Sequence, residues 1–345
     1  MKTLSKTYDR NSASSGSHSI DETADPTEGD TMVLYLDILV PALIALIPGL
    51  VINSFIIVIN VTDWLNGRSV TPVDHIITSL GISRMCAQCA VTLSIIVSTI
   101  FQNNLHVDVT VFIMDTLYSF SVYSNIWLTC LLSIVFCLKI SNLRTRLFLY
   151  LRRMIDQRTV HFIVGSVLLS AINCLLPTII HVTKGGTYNT TMDNLLLDCT
   201  SSDSLYIHII SSIIPMLFCS ISSVLLFTSL YHHITKMKMS GNLSINLKTY
   251  HSAMTFVSIT FIYNSKYFTG HMVSVFMYYL YCEYVLWLDT VLGFLPILHS
   301  SYLIYRTAKL RSHMSKVLKN VIDFFFQRKM TETREDIEMI TLGCN

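Results

Sequence analysis

Arg84, in the stretch SLGISRM, is a permanent cation set among apolar and small residues. An ionisable side chain inside a membrane costs roughly 2.5–3.5 kcal/mol on insertion scales, so such residues normally face a bundle interior. Lys266 and Asp289 pose the same question in two later apolar segments. Each lies about six residues, or roughly 9 Å, below the outer end of its segment. Equal depth suits a salt bridge, or a pair of charges reading a ligand from an outward-facing cavity. The alternative is that Lys266 snorkels outward and Asp289 is simply hydrated. Tyr118 and Tyr123, with Asp115 and Asn125, occupy the outer half of the third segment. Aromatic surface with a few polar groups suits a pocket for small, partly apolar ligands.

Nothing converges on catalysis. The chain has no Gly-rich phosphate loop, no H-E-x-x-H and no G-x-S-x-G. Cys86 and Cys89 form C-x-x-C, but without His or further Cys at ligand spacing, so no metal or cofactor is expected. His232 and His233 adjoin a basic loop and read as solvated. No enzymatic step and no nucleic-acid partner is implied.

The elements that must position Arg84, Lys266 and Asp289 follow from composition. Of 345 residues, 52% are hydrophobic and only 13% charged, against about 25% charged in a soluble domain. Such a chain cannot cover a water-soluble ball with polar surface, so the lipid membrane is its solvent. A spanning helix needs about 20 mainly apolar residues. Seven stretches qualify: 33–60, 73–100, 109–138, 160–181, 205–231, 250–273 and 283–305, the sixth weakened by Asn264, Ser265 and Lys266. The expected fold is an all-α, seven-transmembrane-helix bundle in residues 33–306. It follows a disordered extracellular tail over 1–32 and precedes a cytoplasmic tail over 307–345. The first helix would serve as its own targeting signal.

Lys and Arg orient the bundle. Of 24, eighteen fall in the loops and tail of one side and four on the other, with Arg84 and Lys266 inside the spans. The N-terminus is therefore expected outside and the C-terminus in the cytoplasm. The sequon at Asn189 then falls in an outer loop, where glycosylation is possible. Cys199 and Cys282 are the two cysteines placed to meet an oxidising exterior, where a disulfide is permitted. Arg84 sits about 11 residues, or roughly 16 Å, above the inner end of its helix, too deep to snorkel easily. Backbone carbonyls and Asn53, Ser83, His299 or Ser300 are its expected partners. It reads either as a packing clamp or as a polar hub that rearranges when the bundle switches state. In the tail, SKVLKNVIDFFFQRKM interleaves Lys and Arg with an apolar stripe of Val317, Val321 and Phe324 beside Leu318 and Phe325. That pattern suits a short amphipathic helix on an anionic leaflet, or a loose tail.

The stretch GLVINSFIIVINVTDWLNGRSVTPVDHIITSLGISR, Gly49 to Arg84, resembles the first two helices of type 2 (bitter) taste receptors. WLTCLLSIVFCLKISNL resembles that family's inner third helix, with Phe136 where Tyr is usual. PMLFCSISSVLLFTSLYHHITKM resembles its fifth helix, and HSSYLIYRTAKL carries its His299–Ser300 pair and Lys309–Leu310 end. The likeness covers residues 33 to 311. Departures include the long outer tail, Arg306–Thr307 in place of Gly-Asn, Tyr118 where Trp is frequent, and Val122 where a polar pocket residue is frequent.

The resemblance implies a plasma-membrane G-protein-coupled receptor for small bitter agonists, coupled to a heterotrimeric G protein of the gustducin type. Tyr118, Val122, Tyr123, Lys266 and Asp289 would line the pocket. Asn53, Arg84, Phe136, His299 and Ser300 would form the activation hub. Lys139, Arg144, Arg146, Lys236 and Lys238 would face the G protein or simply enforce topology. A pheromone-type chemoreceptor is the near alternative. A transporter or channel is the distant one, and it is weakened by the lack of internal repeats.

Overall fold

The computed structural model describes residues 28–100, 105–140, 146–185, 202–239, 245–281 and 285–342. Asn189, Arg144, Cys199, Cys282 and most of the expected N-terminal tail lie outside the described residues. Eight helices account for nearly all of what is described: α1 Glu28–Leu65, α2 Pro72–Ile100, α3 Leu105–Ile140, α4 Arg146–Gly185, α5 Ser202–Met239, α6 Ile245–Tyr281, α7 Leu286–Arg306 and α8 Ala308–Leu342. Two compact units, residues 1–299 and 300–345, are taken in turn.

Six helices are long and apolar enough to cross a membrane, with spans at Leu39–Leu65, Pro72–Val97, Val109–Ile140, Phe148–Pro177, Leu205–His232 and Trp287–Arg306. α6 is 37 residues long but too polar to join that set. It nevertheless packs against α5 and α3, and its Thr260 and Asn264 are buried. Neighbouring helices therefore cover these two polar groups, with Tyr263 and Tyr267 buried beside them.

The first unit is built with its polar groups inside. Asn53, Ser83, Arg84, Asn125 and His299 are buried, while Ile44, Ile47, Val51 and Val58 of α1 are exposed. On α4 the exposed residues Val160, Val164, Leu168, Ile172 and Ile179 form one stripe. In water an apolar surface this continuous would drive association; facing lipid it carries no penalty. Exposed Trp and Tyr side chains lie near the ends of spans or helices: Trp64, Tyr150, Tyr206, Tyr231, Tyr281 and Trp287. Amphipathic rings favour the bilayer interfaces. α3 is the central helix, 78% buried along its span against 22% for α4, and it packs on α2, α4, α5 and α6.

The α1–α2 connection is set locally. Gly67 takes φ +67°, which Gly adopts without a Cβ clash. Its N–H donates to the Trp64 carbonyl and that of Arg68 to the Asp63 carbonyl, closing α1 with a Schellman motif. Thr71 then caps α2. Its hydroxyl accepts from the Asp74 N–H at 3.3 Å, while the Asp74 carboxylate accepts from the Thr71 N–H at 3.0 Å. Pro72 fills the first helical position, where no N–H is needed. Arg68 reaches back to Asp63 at 2.9 Å.

Three boundaries depart from the sequence reading. α1 begins at Glu28, inside the stretch expected to be a disordered tail. Glu28 and Asp30 suit a helix N-terminus electrostatically, which apolar counting ignores. α4 begins at Arg146, so Arg146, Arg152 and Arg153 are helical, not in a loop. Arg158, with φ −128° and ψ 27°, kinks α4 just before its apolar stripe. In the second unit, Leu303, Ile304 and Leu310 are buried, and α8 runs for 35 residues where a short helix was expected.

Candidate functional site: a buried arginine beneath an outer cleft

Arg84 is 1% exposed, and its donors reach three further helices. Nε donates to Asn125 Oδ1 of α3 at 3.0 Å. One terminal nitrogen donates to the Pro296 carbonyl of α7 at 3.4 Å; the other meets Tyr263 Oη of α6 at 3.3 Å and His299 Nδ1 of α7 at 2.8 Å. Guanidinium has donors only, so His299 must accept at Nδ1 and carry its proton at Nε2. Tyr263 also lies face to face with the His299 ring at 4.1 Å and beneath the guanidinium at 5.6 Å. A planar fork with donors on several edges is the side chain suited to tying α2, α3, α6 and α7 at one point.

A turn further along α2, the Gln88 amide nitrogen donates to the Gly293 carbonyl of α7 at 3.4 Å.

His299 was among the expected partners of Arg84. Ser83 instead donates to the Ser121 carbonyl at 2.7 Å, joining α2 to α3. Asn53 donates to the Gly49 carbonyl at 2.8 Å, and Ser300 is fully buried. Asn125 and Tyr263 were not foreseen as partners. Asn125 had been grouped with the outer pocket, although Arg84 and Asn125 lie about 18 Å and about 22 Å from the inner ends of their helices. That match of depth was the available signal. Tyr263 sits in the segment with the weakest sequence pattern and gave none.

Directly above the network is a narrow cleft lined by Arg84, Gln88, Tyr118, Asn125, Tyr267, Asp289 and Leu292. Its free volume of about 30 Å³ is room for about two waters. Tyr267 and Leu292 of this lining belong to an apolar cluster with Val122 and Tyr263, and Tyr118 packs against it. Asp289 is buried. Its Oδ1 accepts from Ser274 of α6 at 3.1 Å, and its Oδ2 has no partner among the described residues. The structure thus places Tyr118 and Asp289 on the cleft with Arg84, and Val122 in the apolar cluster behind it. Lys266 is exposed on α6, so a Lys266–Asp289 bridge is not formed. Phe268 and Tyr267 turn inward beside it, and the charged end follows the long stem out of the bundle.

Tyr123 lies on another face of α3. It is buried, and its hydroxyl meets His208 Nδ1 of α5. Its ring stacks on His208 and takes His271 of α6 edge-on at 5.7 Å. These two histidines are 63 residues apart in the chain, and the sequence reading did not pair them.

Toward the inner end, Phe136 of α3 meets Phe256 of α6 edge-on at 4.9 Å. Lys139 is half-buried at the end of α3, and Arg146 is exposed at the start of α4. Lys236 and Lys238 sit on the last turns of α5. Among the described residues no group of three or more His, Cys, Asp or Glu side chains is arranged to hold a metal ion.

Comparison with known proteins bears on this arrangement directly. The family described as Taste receptor protein (TAS2R) matches residues 31–322. Taste receptor type 2 member 9 of Macaca mulatta is 28% identical over 295 residues, covering 80% of this chain and 91% of that protein. Taste receptor type 2 member 7 of the same species is 25% identical over 308 residues, covering 83% and 94%. Member 9 of Pan troglodytes is 27% identical over 288 residues, covering 80% and 91%. A bundle with polar groups inside and a cleft between its helices agrees with that match, and the chain belongs to the TAS2R family of taste receptors: it is a membrane receptor and not an enzyme.

Proposed function

We propose that the chain is a G-protein-coupled bitter chemoreceptor whose small-molecule agonist enters the cleft between α2, α3, α6 and α7 from outside. One observation supports this most: Arg84 lines the cleft floor and also holds α3, α6 and α7. A molecule seated there touches the group on which the inner packing depends. Agonist binding favours an alternative arrangement only by its differential affinity for it. The two-water volume means that Leu292, Tyr267 or the outer helix ends must give way first. The open Oδ2 of Asp289 accepts a hydrogen bond or an ammonium group from the ligand, while Tyr118 and Val122 supply apolar surface. The changed inner face, edged by Lys139, Arg144, Arg146, Lys236 and Lys238, then receives a gustducin-type G protein.

The test is calcium release in cells expressing the receptor with a matching G protein, challenged with a panel of bitter compounds. Release that requires the G protein is the expected result. Ligand-dependent current or uptake without any G protein would reject the receptor reading in favour of a transporter or channel.

A further inference from the structure

Gln88 lines the cleft one turn of α2 beyond Arg84 and is 6% exposed. Its carboxamide lies between glycines of two other helices. On one side is Gly49 of α1, where an added Cβ would stand 2.5 Å from Gln88 Cδ and closer still to Oε1 and Nε2. The amide therefore fills the space that any side chain at position 49 would need. On the other side is Gly293 of α7, whose carbonyl accepts from Nε2 at 3.4 Å. That bond is at the long end of the useful range, so it does not orient the amide by itself. The last torsion of a glutamine is also broad, which leaves the amide plane to be set by what packs on it. Here that is the bare Cα of Gly49.

The turn of α7 held in this way is the one that carries Asp289. Gly293 follows Asp289 by one helical turn, and both line the same cleft. Among the described residues no helix backbone runs close to α7 over an extended stretch, so side chains set its position. Arg84 holds the Pro296 carbonyl and Ser274 holds Asp289 Oδ1, and Gln88 acts on the turn between them. None of the described residues that line the cleft belongs to α1.

We propose that Gln88 is a positioning residue for the agonist cleft: Gly49 of α1 sets its amide, the amide holds the Gly293 turn of α7, and that turn presents Asp289. α1 thereby tunes agonist sensitivity without touching the agonist. The link to agonists rests on the function proposed above; the three-helix contact does not.

The test is a pair of double-mutant cycles on the full-length receptor at matched surface amounts, read as agonist concentration–response. Gln88→Ala should lower potency about twofold to tenfold, the net effect of one neutral hydrogen bond. Gly49→Ala should do the same, because its methyl displaces the amide, and should add nothing in the Gln88→Ala receptor. For amine agonists, Gln88→Ala should also add nothing to Asp289→Ala. Gln88→Met keeps the length and loses the donor, so it is expected to match Gln88→Ala in potency; it carries the test if Gly49→Ala does not reach the surface. Additive shifts from Gly49 and Gln88 would overturn the proposal. So would a Gln88→Ala shift that persists in full without Asp289, which would make Gln88 a direct ligand contact. Melting temperatures of the detergent-solubilised receptor without ligand read the first cycle independently of any agonist. Gly49→Ala should lower the value in the otherwise wild-type receptor and not in the Gln88→Ala receptor, and equal effects in both backgrounds would overturn the contact. A receptor that passes this cycle yet answers no bitter compound would count against the agonist reading alone.

Discussion

At the scale of single residues, Arg84 decides the most. Its cost in a membrane was legible from sequence, and so was the need for interior partners. Their identity was not, because a helical pattern reports which face is apolar but not which helix faces it. Asn125 and Tyr263 are therefore structural findings. They change what a substitution should do. Arg84→Ala removes a donor from several buried acceptors at once, each worth about 1–3 kcal/mol when left unpaired. Arg84→Lys keeps the charge but lacks the planar fork, so it too is expected to fail. Surface biotinylation and agonist response together check this. Both variants are expected to show reduced surface receptor or reduced signalling, and normal values for both readouts would mean the network is dispensable. His299→Asn is the milder probe, since an amide oxygen can still accept from Arg84; it should retain more surface receptor than His299→Ala.

At the scale of elements, the apolar counts found a stretch within each of α1 to α7, matching α2 and α7 nearly end to end but starting α4 fourteen residues late, and α6 was recognised as the weakest. Its low hydropathy has a physical basis: α6 packs against α3 and α5 and presents Asn264 and Tyr263 to the interior. The inner extension of α4 was missed because basic residues look like a loop to a hydropathy count yet are good helix formers. Close helix approach also escaped the sequence reading. A Cβ on Gly270 would lie 2.5 Å from Leu292 Cδ2, across the α6–α7 contact beside the cleft. Leu292 is flexible and would turn, and the cleft is the free space nearest to it. Gly270→Ala should therefore lower agonist potency with little loss of surface receptor, checked by concentration–response curves at matched expression. At the other end of α2, Thr71→Ala removes the helix cap and should cost about 0.5–2 kcal/mol. A thermal-shift measurement on detergent-solubilised receptor would read it as a lower melting temperature.

At the scale of the whole molecule, membrane residence was the most legible property, because bulk composition sets it and no contact detail is needed. Orientation rests on the Lys and Arg bias of the loops, and Asn189 offers an independent reading of it. Asn189→Gln should abolish a glycosidase-sensitive mobility shift of the surface receptor, whereas an unshifted wild-type band would remove that support. The cleft was less legible. Tyr118 and Asp289 were named from the third and seventh segments and meet at the cleft, while Val122 packs behind it, Tyr123 turns to a histidine cluster and Lys266 to the outside. Depth along a helix can be counted from sequence; rotation about its axis is fixed only by neighbours.

The central claim is that a ligand in the cleft above Arg84 drives the receptor, with Asp289 as its polar anchor. The most direct measurement is the agonist concentration–response of Asp289→Ala against wild type at equal surface amounts, across every compound that activates the wild type. Loss of a hydrogen bond to a charged group, about 1.5–3 kcal/mol, predicts a rightward shift of roughly tenfold to a hundredfold for agonists bearing a donor or amine. Unchanged potency for every agonist would contradict the account.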